Sequence, residues 1–240
     1  FVRDLRQQWN EWLQQRYSTT AKLQSAWNDG AQPLGTEMLR NGNFQEQLTG
    51  WMLEKHNGAE ASAKLIGSDG GAPTALEIQV VKPGTESWHV QLNQGGLKLQ
   101  AGAAYTVSFR ARSAAPRSLA LNVTQAHDAY ANLGLAATVK LTSEWREYRF
   151  VFNATQEDER GRIAFANFGS EGATFQLAEV SLKPGGVHGL LTGEETGAVP
   201  YFSKAAFGQR TAAAQRDWMR FLTETEDRYW RAMYHFLKKE

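Results

Sequence analysis

The chain has 240 residues, of which 42% are hydrophobic and 21% charged, with a formal net charge of +1 and no cysteine. So even a charge balance argues against an electrostatic grip on nucleic acid or on an anionic membrane. The missing cysteines exclude disulfides, thiolate metal sites and a cysteine nucleophile, and no apolar run approaches the roughly 20 residues that a membrane-spanning helix needs.

The length suits one large domain or two modest ones, and an opening at Phe1 rather than Met points to a fragment or a processed product. Residues 1–29 carry a helical period, with Val2, Leu5, Trp9, Trp12, Leu13 and Tyr17 at three- and four-residue steps. Ser18-Thr19-Thr20 offers a break and a new cap, and Leu23 and Trp27 mark a second short helix. Asn28-Asp29-Gly30 closes it, with Pro33 and Gly35 following.

From about Glu37 to Lys183 the period falls to two. Tyr105, Val107, Phe109 and Ala111 alternate with Thr106, Ser108, Arg110 and Arg112; Leu119, Leu121 and Val123 alternate with Ala120, Asn122 and Thr124; Tyr148, Phe150 and Phe152 alternate with Glu147, Arg149 and Val151. Further strands are expected near residues 51–54, 61–66, 75–81, 88–94, 162–168 and 174–182. Short strands parted by Gly, Pro, Asn and Asp predict an all-β sandwich. Residues 184–208 are glycine-rich and lack a period, so they read as an ordered loop or linker. A long amphipathic helix is expected from about Thr211, with Trp218, Phe221, Leu222, Thr225, Tyr229, Met233 and Phe236 on the face that packs. The terminal helices are expected to cover each other's apolar stripes. The boundaries that follow are a helical flank at 1–32, a sandwich at 33–185, and a loop with a long helix at 186–240.

An ordered series of residues in the middle region carries a resemblance. Leu39-Arg40-Asn41-Gly42-Asn43-Phe44 and Gly50-Trp51 come first, then Trp88-His89-Val90-Gln91-Leu92 with Leu97 and Leu99. Gly102, Tyr105, Ser108-Phe109 and Ala111-Arg112 follow, then Leu141-Thr142-Ser143-Glu144-Trp145 with Tyr148 and Phe152, and finally Glu179-Val180-Ser181-Leu182. This series resembles carbohydrate-binding modules of families 4, 9 and 22. The resemblance implies a mostly β, jelly-roll β-sandwich of the galactose-binding-like kind, flanked here by α-helices, which binds a polysaccharide or oligosaccharide and is not catalytic. It also implies an extracellular or periplasmic bacterial location. These families commonly hold a structural Ca²⁺ through an acid after the opening Phe and an Asp in the closing strand. Gln45 and Ala178 stand there instead, and hard cations want carboxylate oxygen, so no cofactor is expected.

The flanks carry a second resemblance. Trp12-Leu13-Gln14-Gln15-Arg16-Tyr17-Ser18-Thr19 with Leu23 and Ala26-Trp27 is similar to an element of TIM-barrel glycosidases of families 5 and 42. Asp217, Phe221-Leu222, Glu224, Glu226, Tyr229, Met233 and Phe236-Leu237-Lys238 resemble a helix of those enzymes. The implied partner is the remainder of a parent glycoside hydrolase. A whole barrel needs about 250 residues, so its catalytic apparatus is not expected within this chain.

In a sandwich the residues opposite in parity to the core form the outer face. That face is expected to hold His89, Gln91 and Asn93; Ser108, Arg110 and Arg112; Ala120, Asn122 and Thr124; and Ala164 and Ala166. Amides suit sugar hydroxyls because both donate and accept. The candidate carbohydrate-binding residues are accordingly Trp88, His89, Gln91, Arg110, Asn122, Gln125 and Tyr130, with Trp88 and Tyr130 as stacking surfaces and Trp51 assigned to the core. The histidines lack metal-ligand spacing, and the sequons at Asn122 and Asn153 are short enough to arise by chance. An enzyme that cleaves glycosides needs two carboxylates about 5–10 Å apart. The outer face offers Glu147 alone, and Asp69, Glu86, Asp128, Glu157, Asp158 and Glu159 read as solvated turn residues. Three readings stay open: sugar binding, a structural role without a ligand, and an independent enzyme.

Overall fold

The computed structural model describes residues 2–68, 72–168 and 173–238, so Asp69 lies outside the described residues. The chain divides into two compact units, residues 34–185 and residues 1–33 with 186–240.

Residues 34–185 hold strands β1 (Met52–Lys55), β2 (Glu60–Ile66), β3 (Ala75–Lys82), β4 (Val90–Leu99), β5 (Ala104–Ser113), β6 (Arg117–Gln125), β7 (Asn132–Leu141), β8 (Arg146–Asn153), β9 (Asp158–Ala166) and β10 (Thr174–Pro184). They form two five-stranded antiparallel sheets, ordered β1-β4-β9-β6-β7 and β2-β3-β10-β5-β8. The period-two pattern has the expected consequence: Leu92, Leu121, Ile163 and Phe165 of the first sheet and Ile78, Val107, Phe109 and Leu177 of the second are buried in one core. Burying each such side chain contributes about 1.5–3 kcal/mol.

The opening motif closes this core. Asn41 Nδ2 donates to Gln47 O and Thr49 O at 3.0 and 3.1 Å, and its Oδ1 accepts from Glu46 N at 3.1 Å. The turn thus held brings Phe44 onto Trp51, with ring centroids 5.4 Å apart. A Cβ on Gly42 would stand 1.9 Å from Val180 O, so only glycine lets the turn dock on β10. Trp51 is buried, as its assignment to the core requires.

Two expectations for this unit fail. β7 lies where no strand is expected, because Gly134, Ala136 and Ala137 give its alternation little β-branched character. β4 begins at Val90 and not at Trp88, so Trp88 and His89 escape the strand's alternation.

In the other unit, α1 (Val2–Tyr17), α2 (Thr20–Trp27), α3 (Lys204–Phe207) and α4 (Ala212–Leu237) surround a cluster of Trp9, Leu13, Leu23, Trp27, Val199, Phe202, Ala214, Trp218 and Phe221. The terminal helices do cover each other, and the glycine-rich segment contributes Val199, Phe202 and the short α3. Ser18 adopts φ +63° between α1 and α2, and Thr19 caps α2 by accepting from Lys22 N. At the centre, the buried Asp217 carboxylate accepts hydrogen bonds from Tyr17 Oη and Trp27 Nε1, with Arg16 Nε 3.3 Å away. The expected packing face of α4 extends too far along the helix. Beyond Leu222 the apolar cluster ends, and Tyr229 and Phe236 are exposed.

Candidate functional site

The outer face of the first sheet follows from its register. Met52 and Glu54 of β1 lie opposite Asn93 and Gln91 of β4. Asn93 lies beside Ala164 of β9, which lies beside Asn122 of β6, which pairs with Ala136 of β7. Ala164 and Ala166 alternate with the core residues Ile163 and Phe165, so they face outward and form a floor of small side chains.

Above one end of this floor is a groove of about 530 Å³ lined by Glu54, His56, Trp88, Gln91, Tyr130 and Arg162. Trp88 and Tyr130 are 48% and 57% exposed, leaving aromatic faces open to a ligand. Polar groups in the groove orient one another. Gln91 Nε2 donates to Glu54 Oε2 at 2.7 Å, His56 Nε2 lies 3.3 Å from the same oxygen, and Arg162 Nη1 lies 3.6 Å from Glu54 Oε1. His56 also packs on Trp88, with centroids 5.4 Å apart. Asn93 is buried beside this set, and its Nδ2 has no hydrogen-bond partner.

The loop carrying Tyr130 is anchored by Asp158. Its Oδ2 accepts from Gln125 Nε2 and lies 2.9 Å from His127 Nε2, while Oδ1 accepts from Arg160 N at 2.7 Å. Burial pushes this carboxyl up, but the hydrogen bonds from Arg160 N–H, Gln125 and His127 outweigh it and hold the pKa below the ordinary value. Gln125 also exchanges backbone and side-chain hydrogen bonds with Ala131.

Of the seven expected residues, the structure brings Trp88, Gln91 and Tyr130 together in the groove. Asn122 lies on the same sheet face, outside the groove lining. Gln125 lies beneath the Tyr130 loop and acts on its shape. His89 and Arg110 are placed elsewhere. His89 is 1% exposed: its Nδ1 accepts from Glu86 N, and its Nε2 lies 2.9 Å from Asn57 Nδ2. A Cβ on Gly84 would stand 2.1 Å from His89 Nδ1, so that glycine makes room for the ring. Arg110 belongs to β5 in the other sheet, with Ser108, Arg112 and, across on β8, Glu147. The expected single outer face is therefore divided between the two sides of the sandwich. Sequence reasoning missed Glu54, His56 and Arg162. Glu54 and Arg162 are signalled only by parity, through Gln91 and Ala164.

Glu86, Asp128, Glu157 and Glu159 are exposed as read, whereas Asp158 is buried. At the positions where the resemblance would put Ca²⁺, Gln45 is exposed and Ala178 is fully buried with no side-chain donor. Among the described residues, no three His, Cys, Asp or Glu side chains come together as metal ligands. Neither position supplies the carboxylate oxygen that a hard cation prefers. No helix among the described residues is long and apolar enough to cross a membrane.

The chain is similar to solved structures and to one family model. A solved structure described as "CBM4 structure and function" is 29% identical with a TM-score of 0.53, and the match covers 61% of this chain and 99% of that one. The N-terminal cellulose-binding domain of β-1,4-glucanase C from Cellulomonas fimi is 24% identical with a TM-score of 0.45, covering 64% of this chain and 97% of that one. No curated protein sequence matches the chain. The family described as "Carbohydrate binding domain", of the family 4 and 9 type, matches residues 36–167. With more than half of its length in that match, the chain belongs to the carbohydrate-binding domain family.

Proposed function

We propose that residues 34–185 bind a polysaccharide or oligosaccharide across the outer face of the β1-β4-β9-β6-β7 sheet, without catalysis. The observation that carries this reading is the groove itself, where two half-exposed aromatics, Trp88 and Tyr130, stand beside Gln91, His56, Glu54 and Arg162. Pyranose rings stack on aromatic faces, and sugar hydroxyls exchange hydrogen bonds with the amide and charged groups. Among the described residues Glu54 is the sole carboxylate in the groove lining, and it is already engaged by Gln91, His56 and Arg162. Such a site lacks the carboxylate pair of a glycosidase.

Affinity of such a module is expected between about micromolar and millimolar, because a few stacked rings must offset desolvated hydroxyls and lost freedom. Its benefit to a linked enzyme is effective concentration, and the similarity of the helical segments to glycosidases supports a parent hydrolase as that enzyme. An extracellular or periplasmic location goes with this reading. A ligand-free structural role would have the groove covered, and the exposure of Trp88 and Tyr130 favours binding instead. Calorimetric titration with soluble β-glucan, xylan and galactan is expected to give heat with at least one of them. Silence with all three would remove the reading for those polymers.

A further inference from the structure

The outer face of the second sheet carries an independent arrangement. Lys64 Nζ lies 3.0 Å from Glu77 Oε1, Gln176 Nε2 donates to Glu77 Oε2 at 2.7 Å, and Arg112 Nε donates to Gln176 Oε1 at 2.5 Å. The relay crosses β2, β3, β10 and β5 in register. Lys64 and Gln176 hold the Glu77 carboxyl below its ordinary range, so the relay keeps its charge at neutral pH. Its end point is the Arg112 guanidinium, fixed through Nε and lying 5.0 Å from the ring centroid of Trp145, where Arg110 also approaches to 5.8 Å.

Among the described residues, no acceptor reaches the two terminal nitrogens of Arg112. Arg112 borders a cavity of about 180 Å³ that is also lined by Ser113, Ala114, Ser143, Thr174 and Gln176. The walls are tied down, since Ser113 N donates to Thr142 O at 2.9 Å and Ser113 Oγ donates to Thr174 O at 2.8 Å. In the same turn, Thr142 Oγ1 and Trp145 Nε1 are buried without hydrogen-bond partners. Glu144, the acid of that turn, is exposed to solvent.

We propose that this cavity is a second sugar site, directed to a carboxylate-bearing ring such as a hexuronate, with Arg112 as its anchor. A guanidinium held by Nε presents its two outer N–H groups as a fork, which matches the two oxygens of a carboxylate. The hydroxyls of Ser143 and Thr174 suit ring hydroxyls. A volume of about 180 Å³ is room for one ring and too much for a bare carboxylate. In the first groove Arg162 stands beside Glu54 directly, whereas Arg112 reaches Glu77 through Gln176. The two sites lie on opposite sheets and bind independently.

Titration of the ¹⁵N-labelled chain with methyl β-D-glucuronide, methyl β-D-glucoside and acetate tests this. The glucuronide is expected to shift the Trp145 indole resonance and leave that of Trp88 in place, with the glucoside without effect there and acetate at least tenfold weaker. Arg112→Gln should cost about tenfold or more in affinity, the scale set by a charged hydrogen-bonding partner. Ser143→Tyr should block the cavity from an exposed turn while leaving the relay intact, so it decides the matter if the first variant misfolds. Trp88→Ala should leave the glucuronide response unchanged, separating this site from the groove. An unmoved Trp145 signal, wild-type affinity in Ser143→Tyr, or acetate binding as tightly as the glucuronide would overturn the proposal.

Discussion

The guanidinium carbon of Arg162 lies 5.3 Å from the centre of the Tyr130 ring, while its Nε donates to Thr124 Oγ1 at 3.3 Å and its Nη1 lies 3.6 Å from Glu54. One side chain therefore links β9, β6, β1 and the β6–β7 loop. A cation over an exposed ring contributes about 0.5–1 kcal/mol. Arg162→Gln is expected to weaken glycan binding about two- to fivefold by freeing Tyr130, with little change in melting temperature. Paired calorimetry of binding and unfolding checks this, and undiminished affinity would show that Tyr130 needs no such support.

Two tryptophans should respond in opposite ways. Trp88 is 48% exposed in the groove and Trp51 is 6% exposed in the core. Trp88→Ala should lower glycan affinity about tenfold and leave the denaturant midpoint nearly unchanged. Trp51→Ala should cost about 3–5 kcal/mol of stability, the scale for truncating a buried aromatic. Chemical denaturation with glycan titration distinguishes them.

His89 is a test of structure against binding. Gly84→Ala would drive a methyl group into its ring, which should destabilise the sandwich by about 1–3 kcal/mol. Glycan affinity measured well below the melting point should stay at the wild-type value. A selective loss of affinity would return His89 to the binding site.

Acid should loosen the Tyr130 loop through Asp158. Its folded pKa lies below the ordinary 3.8, so its stabilising contribution is complete above the unfolded value and is lost as pH falls through the lower folded one. The partners it faces are His127, Gln125 and the Arg160 N–H. The Gln125 side-chain amide resonances should move as pH falls below about 4. In Asp158→Asn this transition should be absent.

In the helical unit Asp217 serves Tyr17, Trp27 and Arg16 at once. Asp217→Ala leaves one buried and one half-buried donor, Trp27 Nε1 and Tyr17 Oη, without an acceptor and should cost about 2–4 kcal/mol. Loss of helical circular dichroism at a lower temperature is the readout, and an unchanged melting curve would remove Asp217 as the centre of this unit.

By itself the sequence determined each segment's class. Spacings of three and four around Trp9, Leu13 and Trp218, and of two around Val107, Leu121 and Phe165, state which side chains must leave water. Motifs such as Asn41-Gly42-Asn43-Phe44 carried the family, because its residues serve local ends, namely a held turn, a close approach and a buried ring. Parity also placed Gln91 and Asn122 outward correctly.

Only the tertiary structure decided which outward residues meet. Alternation sorts side chains to one of two sides along a single strand, but it holds no information about which sheet that strand joins. Arg110 and Asn122 both point outward, yet β5 and β6 join different sheets. Residues just before a strand escape the rule, so His89 is buried and Trp88 open. Glu54, His56 and Arg162 converge because hydrogen bonding between distant strands sets the register, and that register is fixed when the whole core packs.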